Sequence, residues 1–167
     1  MAAIYVEAPH WPPGELPRPF VFLAGGICGC HDWQAGLAAE LQRRLARGTI
    51  FNPRRARFAE FDSAAKTEQI TWEFKRLWAA DIISYWFCKP TENPTTLFEY
   101  GTHLARRAVS PARRPFIVPG IEPGYAKEEG MALQTRLADP ELAISRSLPE
   151  LAGAIAQAAR EWAEAGR

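Results

Sequence analysis

Short apolar runs alternate with longer helical patterns from Phe20 onward, and this alternation limits the possible folds more than any other feature. The strand-like runs lie at 20–24, 49–52, 81–87 and 115–118, with a further candidate at 142–145. Strands separated by helices at this spacing indicate βαβ units, whose parallel sheet is covered on both faces. We therefore predict an α/β fold, a flavodoxin-like (Rossmann-like) doubly wound parallel sheet of about five strands.

The segments between these runs have helical periodicity. Asp32 suits the N-cap of a first helix, which Gly48 is predicted to end. Further helices are predicted near 95–107, around 127–137 and from 151 to 162. The apolar face of the second helix is predicted to consist of Ile70, Phe74, Leu77 and Trp78.

The first 20 residues differ from the rest of the chain. Ile4-Tyr5-Val6 is a short β-like run, and prolines follow at positions 9, 12, 13, 17 and 19. Proline disfavours both a helix interior and a central strand. We interpret 1–20 as an edge strand or extended arm and 21–167 as a single domain, a length that suits one hydrophobic core.

Charge and hydropathy exclude several classes of partner. The net charge of +1 gives no global field to attract nucleic acid or an anionic membrane, so neither is expected. The longest apolar stretch, 79–88, is much shorter than the roughly 20 residues that a membrane-spanning helix needs. The three cysteines lack the spacing of a disulfide framework, and the N-terminus lacks the pattern of a secretion signal. We expect a cytoplasmic protein.

Neither a metal nor a cofactor is expected from the motifs. Cys28-Gly29-Cys30-His31 resembles half of a zinc site, but Cys88 and His103 are not spaced as the second pair of ligands. The same loop lacks the glycine fingerprints of dinucleotide and triphosphate sites. It also lacks the serines and threonines that a flavin mononucleotide carrier would need for phosphate binding.

The fold prediction also locates a site, because ligands bind beside the carboxyl ends of parallel strands. That edge is predicted to contain 25–32, 52–55, 89–99 and 119–125. Gly25-Gly26 either admits a ligand close to the backbone or makes a tight turn, and the residues leave both readings open.

Two glutamates are candidate catalytic groups. Glu99 is predicted near the start of the third helix, where the N-terminal amides would stabilise its ionised form. Glu73 lies between Trp72 and Phe74 in the second helix, where aromatic neighbours can raise its pKa and allow proton donation. On position alone, the alternatives are a favourable helix-start charge for Glu99 and an exposed helical residue for Glu73. Gln69, one turn earlier, shares the face of Glu73.

Four stretches together resemble the nucleoside 2-deoxyribosyltransferase-like family. They are 21–27 followed by Asp32-Trp33, 50–55, 68–73 followed by 80–83, and 94–101. These stretches lie within 21–101, about half of the chain, in the order and approximate spacing of the family.

The resemblance implies that Glu99 is the nucleophile in a double displacement that exchanges nucleobases on 2-deoxyribose without a cofactor. It implies that Glu73 is an acid, although many members have Asp there, and that Asp81 is structural. The loop before the nucleophile often supplies a further acid near the base in the family, and because the candidates here are Glu92 and Asn93, the proton donor to the nucleobase stays open. Nucleosides or nucleotides and free nucleobases would be the ligands, and the protein would form a homo-oligomer. The expected substrate-binding residues are Gly25, Gly26, Asp32, Trp33, Asn52, Arg54, Gln69 and Asn93.

Two other functions remain open at this point. One is a nucleoside or nucleotide N-glycosidase with the same nucleophile, in which Arg54, Arg55 or Arg57 grips a 5′-phosphate. The other is a non-catalytic nucleotide-sensing module, which would not need an acid at position 99.

Overall fold

Five parallel strands form the central sheet of the computed structural model, which describes residues 2–55, 62–109 and 115–166. The strands are β1 (Ile4–Glu7), β2 (Phe20–Gly25), β3 (Thr49–Asn52), β4 (Ile82–Phe87) and β5 (Phe116–Ile121). Their order in the sheet is β1-β3-β2-β4-β5. After β2 the chain adds β3 on one side and then β4 and β5 on the other, while the first strand, β1, lies outside β3, and this arrangement confirms the predicted doubly wound α/β fold.

Helices cover both faces of this sheet. They are α1 (Trp33–Arg44), α2 (Ser63–Ala79), α3 (Pro94–Val109), α4 (Glu128–Ala138) and α5 (Leu148–Glu164). The core on one face includes Leu37 of α1 and Ile155 of α5, and the core on the other includes Trp72 of α2 and Tyr100 of α3. None of the helices in the described ranges has the length and hydropathy to cross a membrane.

The N-terminal run and the run at 142–145 differ in their pairing. Ile4–Glu7 pairs along its whole length with β3 at the edge of the sheet, and Val6 is buried in the core. The segment 142–145, predicted as a possible strand, makes only one isolated bridge, between Ser145 and Gly120. The cause is the chain immediately beyond it, because Ser147 already caps α5.

Two details of the predicted helices were wrong. The helix α1 ends at Arg44, before Gly48, because Leu45 takes an extended conformation. Asp32 caps its N-terminus as predicted, accepting a hydrogen bond from the amide of Ala35. In α2, the buried side includes Gln69, Trp72 and Leu77. Of the predicted apolar face only Leu77 is buried, and Ile70, Phe74 and Trp78 are exposed.

The turn after β2 packs tightly against its neighbours. A Cβ on Gly26 would lie 2.0 Å from Oδ1 of Asn93 and 2.7 Å from Sγ of Cys30. A Cβ on Gly25 would lie 2.5 Å from the ring of Trp33. These glycines are therefore required by packing, which supports the reading of a tight turn.

This packing predicts the cost of adding one methyl group. Gly26→Ala should lower the free energy of unfolding by about 1–3 kcal/mol, because the neighbours of Gly26 would have to move. The matched control is Gly36→Ala within α1, where a Cβ would meet no atom within 4 Å. The control should be neutral or stabilise by up to about 1 kcal/mol. Urea unfolding of both variants checks this, and equal effects would contradict it.

Candidate active site

Two half-buried carboxylates, Glu73 of α2 and Glu99 of α3, act on each other electrostatically. Burial raises the pKa of Glu99 to about 8, and the negative charge of Glu73 adds to this rise. Burial also raises the pKa of Glu73, while a hydrogen bond from Gln69 opposes the rise. A carboxyl group with a pKa of about 8 keeps its proton at neutral pH, so Glu99 supplies the pair with one proton there.

The ionisation of Glu99 differs from the sequence-based prediction. The helix N-terminus was expected to keep this carboxylate charged. Glu99 lies beyond the first turn of α3, which contains no acidic residue, and the influence of the helix dipole fades within that turn. Burial and the charge of Glu73 therefore dominate, and the pKa of Glu99 rises rather than falls.

Gln69 connects Glu73 to the end of β3. Its side chain is only 8% exposed. Its amide nitrogen Nε2 donates to Oε1 of Glu73 at 2.8 Å and to the carbonyl oxygen of Pro53 at 2.6 Å. Pro53 directly follows β3, so this bond ties the carboxylate on α2 to the carboxyl edge of the sheet.

Tyr85 of β4 lies on the same face of the sheet. Its side chain is fully buried, its ring lies 5.0 Å from that of Tyr100, and its hydroxyl has no hydrogen-bond partner within the described part of the chain. Burial, followed by the charge of Glu99, raises the pKa of Tyr85 well above its ordinary value. Sequence reasoning did not select this residue, which reads as an ordinary core aromatic.

Arg54 stabilises the loop between β2 and α1. Its guanidinium donates to the side-chain oxygen of Gln34 at 3.0 Å and to the backbone oxygens of Cys30 and His31 at 3.4 and 3.0 Å. It also pairs with Asp32 at 3.2 Å. The predicted substrate-binding residues Arg54 and Asp32 therefore lie together, and each already has a protein partner.

Asn52 and Trp33 are buried in internal contacts. The amide nitrogen of Asn52 donates to the hydroxyl of Tyr5 at 2.7 Å, and its Oδ1 accepts from the backbone amide of Arg54 at 2.9 Å. Trp33 is 1% exposed, and its indole nitrogen donates to the carbonyl oxygen of Gly26 at 2.9 Å. These contacts organise the edge of the sheet, and substrate contact by either residue stays a prediction.

Asn93 shapes the loop between β4 and α3. It has a positive φ of 50°, and its Nδ2 donates to the carbonyl oxygens of Cys88 and Thr91 at 2.9 and 2.7 Å. Its buried Oδ1 faces Gly26 and has no hydrogen-bond partner among the described residues. The structure thus brings Asn93 against the Gly25-Gly26 turn, which places two of the predicted site segments in contact.

Exposed aromatic residues flank the two carboxylates in sequence. Phe74, next to Glu73, is 59% exposed, and Phe98, next to Glu99, is 76% exposed. Sequence reasoning missed this surface because the residues of α2 were assigned to the core. His103, one turn after Glu99, is buried against Trp78, with ring centroids 5.6 Å apart, and burial lowers its pKa to about 4.

The cysteines of the predicted edge are unpaired. Cys28 is exposed, Cys30 is half-buried, and Cys88 is buried with its Sγ 3.7 Å from the carbonyl oxygen of Gly26. Within the described ranges, no three side chains of the metal-ligating types cluster together. Arg57 falls outside the described residues.

The raised pKa of Glu99 predicts how stability depends on pH. Its stabilising contribution is complete below the ordinary value of 4.5 and is lost as the pH rises through about 8. Glu99→Gln removes this dependence, so the variant should gain stability relative to wild type, by roughly 1–3 kcal/mol more at pH 8.5 than at pH 4.5. Urea unfolding at the two pH values measures the gain. The exposed Glu164→Gln is the control, and a pH-independent effect of Glu99→Gln would contradict the burial argument.

A family comparison matches the central part of the chain. Residues 18–110 match the family model described as nucleoside 2-deoxyribosyltransferase like. This range contains β2 through α3, and with them Glu73, Gln69 and Glu99. A search of curated proteins found no match. Because the matched range is more than half of the 167 residues, the chain belongs to the nucleoside 2-deoxyribosyltransferase-like family.

Proposed function

We propose that this protein transfers the glycosyl group of 2′-deoxynucleosides from one nucleobase to another through a covalent intermediate on Glu99. The observation that carries the proposal is the pair of half-buried carboxylates, Glu99 and Glu73, on adjacent helices. A carboxylate nucleophile beside a carboxylic acid is the arrangement that retaining glycosyl transfer requires. The family membership of the chain supports the same substrate class.

The first half-reaction uses the proton that the pair retains. Ionised Glu99 donates an electron pair to the anomeric carbon while the bond from that carbon to the base nitrogen breaks. The electrons of that bond leave with the base, and the carboxyl proton of Glu73 moves to the base nitrogen. The reactive form therefore has its proton on Glu73. Since Glu99 has a pKa of about 8 in the free protein, that proton must move from Glu99 to Glu73 before the attack.

The second half-reaction reverses these roles. A nitrogen of the incoming base bonds to the anomeric carbon as the ester bond to Glu99 breaks and its electron pair returns to the Glu99 carboxylate. The base gives its proton to Glu73, and this second displacement restores the original configuration at the anomeric carbon. If water is the acceptor, the same residues make an N-glycosidase. Both outcomes share one intermediate, so the acceptor alone distinguishes transferase from hydrolase.

The contacts of Arg54 favour a substrate without a 5′-phosphate. A phosphate on this guanidinium would compete with Asp32 and with the three oxygens that Arg54 already holds. Loss of those bonds would release the loop between β2 and α1. A free 5′-hydroxyl would leave these bonds of Arg54 in place.

A panel assay tests the proposed function. Purified protein is incubated with 2′-deoxynucleosides, ribonucleosides and their 5′-monophosphates, with and without a second free base, and the products are separated by chromatography. We expect a new deoxynucleoside that forms only with the acceptor base. Glu99→Gln should lower turnover by about 10³-fold or more, because it removes the nucleophile.

Other outcomes of the panel have definite meanings. Free base released without an acceptor would make the protein an N-glycosidase. Turnover of only the 5′-monophosphates would contradict the argument from Arg54. A protein that binds nucleosides with equal affinity before and after Glu99→Gln, and turns none over, would be a sensing module.

The proposal also includes the cellular location of the protein and the molecules that it binds. The unpaired thiols of Cys28, Cys30 and Cys88 suit a reducing compartment, and we assign the protein to the cytoplasm. Its partners would be nucleosides and free bases, since the net charge of +1 offers nucleic acid no long-range attraction.

We propose that a second copy of the chain packs on the exposed apolar face beside the carboxylates. This face consists of Ile70, Phe74 and Trp78 of α2 and Phe98 of α3. Exposed apolar surface of this kind is typical of protein interfaces, and a dimer through it would enclose the site.

Sedimentation at micromolar concentration tests this assembly. Wild type should be a dimer, and Ile70→Lys should be a monomer, because a charge would be buried at the interface. Leu137→Lys is the matched control, since Leu137 is exposed on α4 and is not one of the residues of this face. A monomeric wild type, or dissociation by Leu137→Lys alone, would contradict the proposed interface.

A further inference from the structure

The amide of Gln69 has only one orientation that satisfies its neighbours. The carbonyl oxygen of Pro53 can only accept a hydrogen bond, so the amide nitrogen of Gln69, not its oxygen, must face it. The second hydrogen of the same nitrogen goes to Oε1 of Glu73. A flipped amide would oppose two oxygens at 2.6 Å, which the backbone of Pro53 cannot accommodate.

This orientation influences which oxygen of Glu73 carries a proton. Oε1 accepts a hydrogen bond from Gln69, and a protonated carboxyl oxygen is a weaker acceptor than an unprotonated one. This hydrogen bond therefore favours the acidic proton of Glu73 on Oε2. Among the described residues Oε2 has no hydrogen-bond partner, so nothing in that part of the protein competes for its proton.

The backbone at Pro53, whose carbonyl oxygen accepts from Gln69, is itself held in place. Asn52 accepts a hydrogen bond from the amide of Arg54, which closes a turn around Pro53 at the end of β3. The position of the Glu73 carboxylate is thus fixed relative to the edge of the sheet as well as to its own helix. A free glutamate side chain would instead distribute its proton over both oxygens and several rotamers.

We propose that Gln69 is a positioning residue, which directs the acidic proton of Glu73 through Oε2 toward the leaving nucleobase. This inference rests on the proposed function, in which the proton on Oε2 moves to the base nitrogen as the glycosidic bond breaks and its electron pair leaves with the base. Gln69 itself neither gains nor loses a proton in that step.

Leaving-group dependence distinguishes this role from a merely structural one. A base that needs a proton to leave, as in 2′-deoxyguanosine, depends on a correctly oriented acid. The cationic base of 7-methyl-2′-deoxyguanosine leaves without one. Gln69→Met keeps the length and volume of the side chain but removes the amide, and Gln69→Leu serves if the first variant does not fold.

We expect Gln69→Met to lower kcat/KM for 2′-deoxyguanosine by about 10²-fold and to change the value for the methylated substrate by only a few-fold. Glu73→Gln should produce the same split, and the double variant should show little further loss. The control is Gln42→Met on α1, a glutamine whose amide nitrogen also donates to a backbone oxygen, that of Ala3 at 3.3 Å, and which should affect both substrates alike. Equal losses on both substrates with Gln69→Met would overturn the proposal.

A titration that needs no turnover separates failure of this inference from failure of the proposed function. The side-chain carboxyl groups of glutamate are followed by carbon NMR in protein labelled with ¹³C, and Glu73→Gln identifies the signal of Glu73. The other titratable groups at the pair, Glu99 on α3 and Tyr85 on β4, are unchanged in Gln69→Met. Loss of the donated hydrogen bond should shift the midpoint of Glu73 upward by about one pH unit.

The two measurements together decide the inference. If wild type cleaves neither substrate, the proposed function fails, and the catalytic part of this inference fails with it. An upward shift of the Glu73 midpoint in Gln69→Met would still support the hydrogen bond from Gln69 to Glu73. An unchanged midpoint of Glu73 in Gln69→Met would overturn the role of Gln69 whatever the activity of the protein.

Discussion

The burial of Glu99 on α3 and Glu73 on α2 is the constraint on which the rest of the site depends. Burial, together with the charge of Glu73, raises the pKa of Glu99 to about 8, and burial raises the pKa of Glu73 as well. The same burial that makes a proton available for chemistry also costs stability at neutral pH. Such a cost is typical of catalytic sites and is unusual for glutamates on the surface of a helix.

The surrounding structure holds these groups by hydrogen bonds rather than by helix packing alone. Gln69 joins α2 to the end of β3. Arg54, which follows β3, joins that end to the loop after β2. Asn93 holds the loop before α3 by hydrogen bonds to Cys88 and Thr91, and its side chain packs against Gly26. Hydrogen bonds and this packing contact thus join the loops at the carboxyl edge of the sheet. A rigid edge of this kind orients catalytic groups before a substrate arrives.

Sequence patterns predicted most of the fold, because each buried strand and each N-cap is a local signal, as at Phe20–Gly25 and Asp32. The apolar face of α2 was misassigned because this helix has two apolar stripes. Only packing on the sheet shows that Trp72 is buried and Phe74 is exposed. The two glutamates were predicted as candidates, but the ionisation of Glu99 was not, because it depends on burial between helices. Internal partners such as those of Asn52 and Arg54 are likewise properties of the tertiary structure.

The central claim is that Glu99 forms a covalent bond to the sugar. A 2′-deoxy-2′-fluoronucleoside slows the breakdown of such an intermediate, and mass spectrometry of digested protein then locates the adduct. The account predicts one added fluorinated deoxyribosyl group on the peptide that contains Glu99, removed when a free base is supplied. Turnover of ordinary 2′-deoxynucleosides with no adduct on that peptide, together with inverted configuration in the product, would contradict the account.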